Sequence, residues 1–471
     1  MIILDKRGCG QGKTTDGIYK RINSNQVNNI KTLVVVPSIN LMAQYKKDLG
    51  DIEIINSQLY NEKDYKLGLC EFKTTVAAFM NCVRENKQII VITHATFVML
   101  PKIGERKNYD LIIDEALEDI IHITKVKTDP SQIWKPDLDL LNIFEFENSI
   151  VQQTIEMDKF DDEHWYRLTQ YREPTDTLFT DSPSFQAITD KNFIHHVTSL
   201  GWSMLNEQTG GESTVVSTLN PDVLKNWKSV YIASAAFHFT KMYHWMLAND
   251  FETYTPAGYQ FKPHKCNIQL FTSHQSKFKW SNTKRETYPE ILTKFHEEVL
   301  NHVNGEKVIA LRNNDESQHL GDLEKKVSHN VHGMNDLQEY RNVSLESALI
   351  PDPKTKKFII DHWLQYMSRT AQNRALIHMQ CGHLFYQVIM RTKLRSRDYM
   401  NEQINVFVPD QDTGVCIIDY FDTTGITPHE MDITSDIKFK PRGQPEKDVV
   451  LTNAEKQKRY REKKKQEREN K

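Results

Sequence analysis

The chain has 471 residues, of which 39% are hydrophobic and 26% charged, and it carries a net charge of −3. That balance suits a soluble globular protein of roughly two to four domains and excludes a membrane-embedded one, since no run approaches the ~18–20 uninterrupted apolar residues of a span. Six scattered cysteines without a C-x-x-C pair read as free thiols in a reducing compartment, and with no signal-peptide layout a cytoplasmic location is expected. The charge is uneven. Residues 455–471 hold nine Lys/Arg against four Asp/Glu, while 129–182 hold thirteen acids against four bases. A polyanion would be drawn to the tail and kept off the acidic stretch.

The apolar run from Met1 to Leu4 predicts a buried strand, followed by a glycine-rich turn, Gly8-Cys9-Gly10-Gln11-Gly12-Lys13-Thr14-Thr15. A strand, such a turn and a helix make an anion cradle, because inward backbone N–H groups and the helix N-terminus both favour phosphate. Lys13 would reach the terminal phosphates and the Thr14 hydroxyl would meet Mg²⁺. The strict phosphate-loop pattern wants glycine where Arg7 stands.

Short apolar runs then alternate with helical patterns, as in a parallel sheet wrapped by helices. Strands are expected at 32–36, 52–55, 87–92 and 110–113. Ser38 caps a helix running through Leu41, Gln44 and Tyr45 to Leu49. Between 125 and 211 the alternation fails, and loosely helical spacing predicts a mostly helical, acidic insertion. Strand 230–233 resumes the sheet and leads into Ser234-Ala235-Ala236. A second unit begins near 251, with strands at 267–271, 307–311, 343–349, 404–408 and 415–420, a helix at 288–303 and a strongly helical stretch at 356–397. From 438 the composition turns polar.

Asp114-Glu115 closes an apolar strand. Nucleotide hydrolysis needs one carboxylate for Mg²⁺ and another group to orient and deprotonate water, and adjacent acids divide those tasks as Asp114 and Glu115.

With these residues in place, the chain resembles superfamily 2 helicases and translocases of the DEAD/DEAH-like kind, in a phage or mobile-element form. Gly10-x-Gly12-Lys13-Thr14 looks like their first motif. Val34 to Ser38, with Pro37 and Gln44, and Thr93-His94 look like their nucleic-acid contacts. Asp114-Glu115-Ala116 matches the start of their acidic box, with Leu117 replacing its last residue. Ser234-Ala235-Ala236 resembles the segment that couples hydrolysis to movement. Tyr386 to Arg395 is similar to the arginine-finger motif, with Gln387, Arg391 and Arg395 in the active positions and Met390 where glycine is usual. Gly333 and Asn335, followed by Arg341, look like the motif joining nucleotide to nucleic acid.

The resemblance implies an α/β protein of two RecA-like domains, 1–250 and 251–437, with the 125–211 insertion in the first and a linker and basic tail at 438–471. It implies an ATP- and Mg²⁺-dependent motor on DNA, or on RNA, serving phage replication or recombination in the host cytoplasm. A replication partner would meet the acidic insertion or the basic tail. Two other readings stay open: an origin-binding protein with secondary ATPase activity, and a packaging ATPase joined to a nuclease.

Overall fold

Five strands in the first 114 residues set up a sheet to which the chain returns only after a long excursion. They are β1 (Ile2–Asp5), β2 (Lys31–Val36), β3 (Glu53–Ile55), β4 (Ile89–Thr93) and β5 (Tyr109–Asp114). The excursion supplies β6 (Ile121–Thr128), β7 (Phe144–Phe146), β8 (Trp165–Gln170), β9 (Phe193–Thr198) and β10 (Gly211–Leu219), after which β11 (Ser229–Ala233) and β12 (Thr253–Tyr254) complete the sheet. The computed structural model describes residues 1–100, 104–128, 144–146, 165–170, 187, 190–201, 211–275, 278–313, 320–327, 329, 337–347, 349, 352–395, 402–435, 437 and 439.

The first sheet runs β12-β1-β11-β5-β2-β4-β3, and every pairing is parallel. Parallel strands covered on both faces need continuous apolar runs, which is why Leu33 to Val36, Ile90 to Ile92 and Leu111 to Ile113 are buried without alternation. Ser38 caps the helix Ile39–Leu49, accepting from the Leu41 amide as its position suggested. β11 lies between β1 and β5, so the glycine-rich turn, the acidic pair and Ser234 all leave the same carboxyl edge. Ligands of open α/β sheets bind at that edge.

The excursion corrects the helical expectation for 125–211 over most of its described residues, those at 187 and 199–201 being helical. Its strands form an antiparallel sheet, β6-β10-β9-β8-β7. Segments such as Ile121-His122-Ile123-Thr124-Lys125-Val126 are rich in β-branched residues, a strand signal that the surrounding acids and aromatics obscured.

The second sheet takes β13 (Ile268–Ser273), β14 (Val308–Leu311), β15 (Glu324–Val327), β16 (Asn342–Leu345), β17 (Ile404–Phe407) and β18 (Ile426–Met431) in the order β15-β14-β16-β17-β13-β18. All its pairings are parallel too, so the architecture is two RecA-like α/β sheets in tandem. The helix Glu290–Val303 connects β13 to β14. Residues 415–420, read as a strand, instead fall mainly in the helix Gln411–Ile418, because Asp410 caps it through the Thr413 amide at 3.0 Å. A short apolar run fits either state, and the cap decides.

The two sheets share their cores. Phe358, Ile359 and Trp363 of the helix Pro353–Trp363 are buried with the first sheet's Leu33, Ile90 and Leu111, whereas Ala235 and Ala236 are buried with the second sheet's Ile309, Val343 and Val406. Met1–Ile433 forms one compact unit. The basic tail lies outside the described residues.

Several histidines are buried in the larger unit. Burial, first of all, lowers His195 to about 4, His196 to about 3 and His244 to about 4. Below the ordinary value of 6.5 the unfolded chain therefore takes up protons that the folded one refuses. Stability present above pH 6.5 is expected to fall as pH drops toward 4, by up to about 1.4 kcal/mol per pH unit for each such group. His196 lies against Phe358 with ring centres 4.9 Å apart, so His196→Phe keeps the ring and should make that slope shallower in urea midpoints measured against pH.

Candidate functional site

The glycine-rich turn is closed by its own polar groups. The Gly8 amide donates to Gln11 Oε1 at 2.7 Å, and the Gln11 amide donates back to the Gly8 carbonyl at 3.3 Å. Gly12 has a φ of +79°, a conformation that L side chains disfavour, and Lys13 opens the π-helical segment Lys13–Tyr19, which continues as the helix Lys20–Val27. The buried Lys13 Nζ donates to the Gly8 carbonyl at 3.2 Å. Arg7, standing where the strict pattern has glycine, braces the turn. Its Nε and Nη2 donate to Asp5 at 2.9 and 2.6 Å, its Nη1 reaches the Gln11 carbonyl at 3.2 Å, and it covers the Tyr259 ring.

The acidic pair is held from three sides. Tyr45 Oη donates to Asp114 Oδ2 at 2.7 Å, and His94 Nε2 lies 3.0 Å from the Asp114 carbonyl oxygen. Burial and the Asp114 charge push the Tyr45 phenol well above its ordinary range, so it remains a donor. Glu115 sits in the left-handed region at φ +67°, at a cost of roughly 1–2 kcal/mol for a side-chain-bearing residue. Its amide donates to the Ala233 carbonyl at 2.9 Å, and Ser234 Oγ donates to its carboxylate at 3.1 Å. Strain held in place by such contacts marks functional sites more often than random surface.

These groups converge on one cavity of about 330 Å³. Gly10, Gly12, Lys13, Thr14 and Thr15 line one wall, Asp114 and Glu115 another, and Met390, Arg391 and Arg395 from the second half a third. Burial and the neighbouring Arg391 charge lower the Arg395 pKa, and an anion between them would relieve that repulsion. Thr14 and Asp114 offer hard oxygen donors on the same cavity, a donor set that suits Mg²⁺ with retained waters.

The turn is also gripped from the second half. The Cys9 amide donates to Tyr386 Oη at 2.8 Å, and that oxygen lies 2.8 Å from His264 Nε2. Gly8 makes room for this, since a Cβ there would fall 2.2 Å from His264 Nε2. Burial, then the Lys13 charge, lowers His264 to about 4 and keeps it neutral at physiological pH.

The remaining expected residues divide. Gln387 is buried and lines a second cavity of about 260 Å³ that shares Glu115 with the first; its Nε2 meets His383 at 3.0 Å and its Oε1 is a buried acceptor with no partner among the described residues. Such an atom calls for a water or ligand. Pro37, Ser38, Thr93 and His94 line a separate groove of about 520 Å³ with Asn40, Ser57, Glu118, Asp119 and His329. The N-terminus of the helix Ile39–Leu49 opens there and favours anions, while the two acids repel them. Gln44, grouped by resemblance with this set, lines the cavity at the glycine-rich turn instead. Arg341 does not join the groove: it precedes β16, at the amino edge of its sheet, and pairs with Glu402 at 2.8 Å. Gly333 and Asn335 lie outside the described residues. Tyr45, Asp48, His264 and Tyr386 were not singled out from sequence; Tyr45 reads locally as an ordinary core position of an amphipathic helix.

No family model and no curated protein matches the chain. Among solved structures it is similar to S. tokodaii Xpd4 at 12% identity and a TM-score of 0.45, over 91% of this chain and 96% of that one. It is also similar to T4 UvsW at 9% identity and a TM-score of 0.23, over 92% of this chain and 73% of the other. Likeness this loose carries no functional argument.

Tyr386→Phe would leave the Cys9 amide without its buried acceptor. A loss of about 1–3 kcal/mol in urea unfolding is expected, with the ring packing unchanged.

Proposed function

We propose that the protein is an ATP-driven helicase or translocase acting on DNA or RNA. The observation that carries this reading is the single cavity lined by Lys13 and Thr14, by Asp114 and Glu115, and by Arg391 and Arg395. Its lysine and its arginines come from different halves of the chain, so hydrolysis would depend on how the halves close.

In this reading the turn's amides and Lys13 hold the phosphates. Glu115, steadied by Ser234, takes a proton from the attacking water as its oxygen bonds to the γ-phosphorus and the bond to the bridging oxygen breaks. Arg391 and Arg395 face the charge that builds on the phosphoryl group. Mg²⁺, held by Thr14 and Asp114, would supply neutralisation of phosphate charge. Nucleic acid would enter the groove at Ser38 and Thr93, gripped through its backbone, which suits movement along any sequence. His94 lines that groove and touches the Asp114 backbone, offering a short path between the two sites. Phage origin, a role in replication and the choice of DNA over RNA rest on the sequence resemblance alone.

Lys13→Ala should reduce ATP turnover by at least about a hundredfold. Arg391→Ala should cut hydrolysis by about 10³-fold or more while equilibrium nucleotide binding stays near wild type. Turnover should rise with single-stranded DNA or RNA, and a protein indifferent to both would end the motor reading. His94→Ala should lower that stimulation by roughly two- to thirtyfold, the span of a coupling of about 0.5–2 kcal/mol, with less effect on basal turnover.

A further inference from the structure

Strand β5 decides which way Asp114 leaves the sheet, but not how its carboxylate is turned. The terminal torsion of an aspartate is broad, so a carboxylate that must meet a cation in one orientation needs an external hold. Two tyrosines provide one. Tyr45, fully buried on the helix Ile39–Leu49, donates to Asp114 Oδ2 at 2.7 Å. Tyr19, in the π-helical segment that begins at Lys13, packs edge-on against Tyr45 with ring centres 5.2 Å apart and planes at 89°. Tyr19 is anchored in turn, donating to Asp48 Oδ2 at 2.8 Å. Tyr19, Asp48, Asp114 and Thr14 all line the phosphate-loop cavity.

We propose that Tyr45 is a positioning residue that orients the Asp114 carboxylate for a divalent cation, and that Tyr19, on the phosphate-loop helix and anchored to Asp48 of Tyr45's own helix, locks Tyr45 in place. The inference rests on the nucleotide-site reading above. It adds a physical link within the first domain: the helix that carries Lys13 and Thr14 also sets, through two rings, the direction of the acid they share a cavity with. Outer partners of metal ligands act this way generally, and losing one costs about 10–100-fold in metal affinity.

The test uses Mn²⁺ as the probe, titrated by electron paramagnetic resonance into the full-length protein with saturating ADP. Tyr45→Phe keeps the buried ring and removes only the donor. It should weaken Mn²⁺ binding by about 10–100-fold, and Tyr19→Phe by a smaller factor. In the double variant Asp114→Asn with Tyr45→Phe, affinity should equal that of Asp114→Asn alone, since Tyr45 acts through that carboxylate. A merely structural tyrosine would lower the melting temperature and leave Mn²⁺ affinity unchanged; that result overturns the proposal while the nucleotide-site reading stands. If Asp114→Asn itself binds Mn²⁺ as the wild type does, both fall together. Should Tyr45→Phe fold poorly, Tyr19→Phe carries the test, and unchanged Mn²⁺ affinity there refutes the lock.

Discussion

The Cys9 amide donates to the hydroxyl of Tyr386, a residue 377 positions away, and the layout of the cleft depends on that contact. Through it the second half holds the turn that would cradle phosphate, and the short segment after Tyr386 delivers Arg391 and Arg395 to the same cavity. Tyr386 does not act as a lone side chain. It stacks on Tyr420 at 4.4 Å with the rings within 10° of parallel, Tyr420 meets Phe239 at 4.8 Å, and Phe239 stacks on His378 at 4.0 Å. Phe239 closely follows Ser234-Ala235-Ala236, so one aromatic column joins the segment that touches Glu115 to the residue that touches the glycine-rich turn. Aromatic pairs prefer particular offset and edge geometries and contribute about 0.5–1.5 kcal/mol beyond the area they bury.

That arrangement constrains the chain in specific places. Gly8 has to lack a side chain because His264 fills the space. Arg7 can replace a glycine because Asp5, Gln11 and Tyr259 hold its guanidinium to the side of the turn. Glu115 adopts a left-handed backbone and is kept there by the Ala233 carbonyl. Each of these departures from local preference occurs at the carboxyl edge of the first sheet, where neighbouring contacts offset it.

Much of the cleft was legible in the sequence because its parts are local. A turn of Gly8, Gly10 and Gly12 before Lys13-Thr14 describes its own geometry, and an acidic pair at the end of an apolar strand places itself at a sheet edge. Parallel strands with unbroken apolar runs were equally plain. The insertion was not, since its β-branched strand residues are interspersed with acids and aromatics and keep no clean period, and 415–420 was misread because an apolar run of that length has no period of its own. Arg341 and Gln44 were assigned by resemblance alone. Their positions depend on sheet register and on helix packing, which short motifs do not encode.

Local chemistry in the sequence determined the glycine-rich turn, the acidic pair, the capped helices and the parallel sheets, because each follows from backbone preference and apolar periodicity over a few neighbouring residues. The sequence resemblance pointed to Arg391 and Arg395, but tertiary structure alone decided that Tyr386 and His264 clasp the turn and that Tyr45 holds Asp114. Those are contacts between residues far apart in the chain, set by how two sheets pack, and no local pattern specifies them.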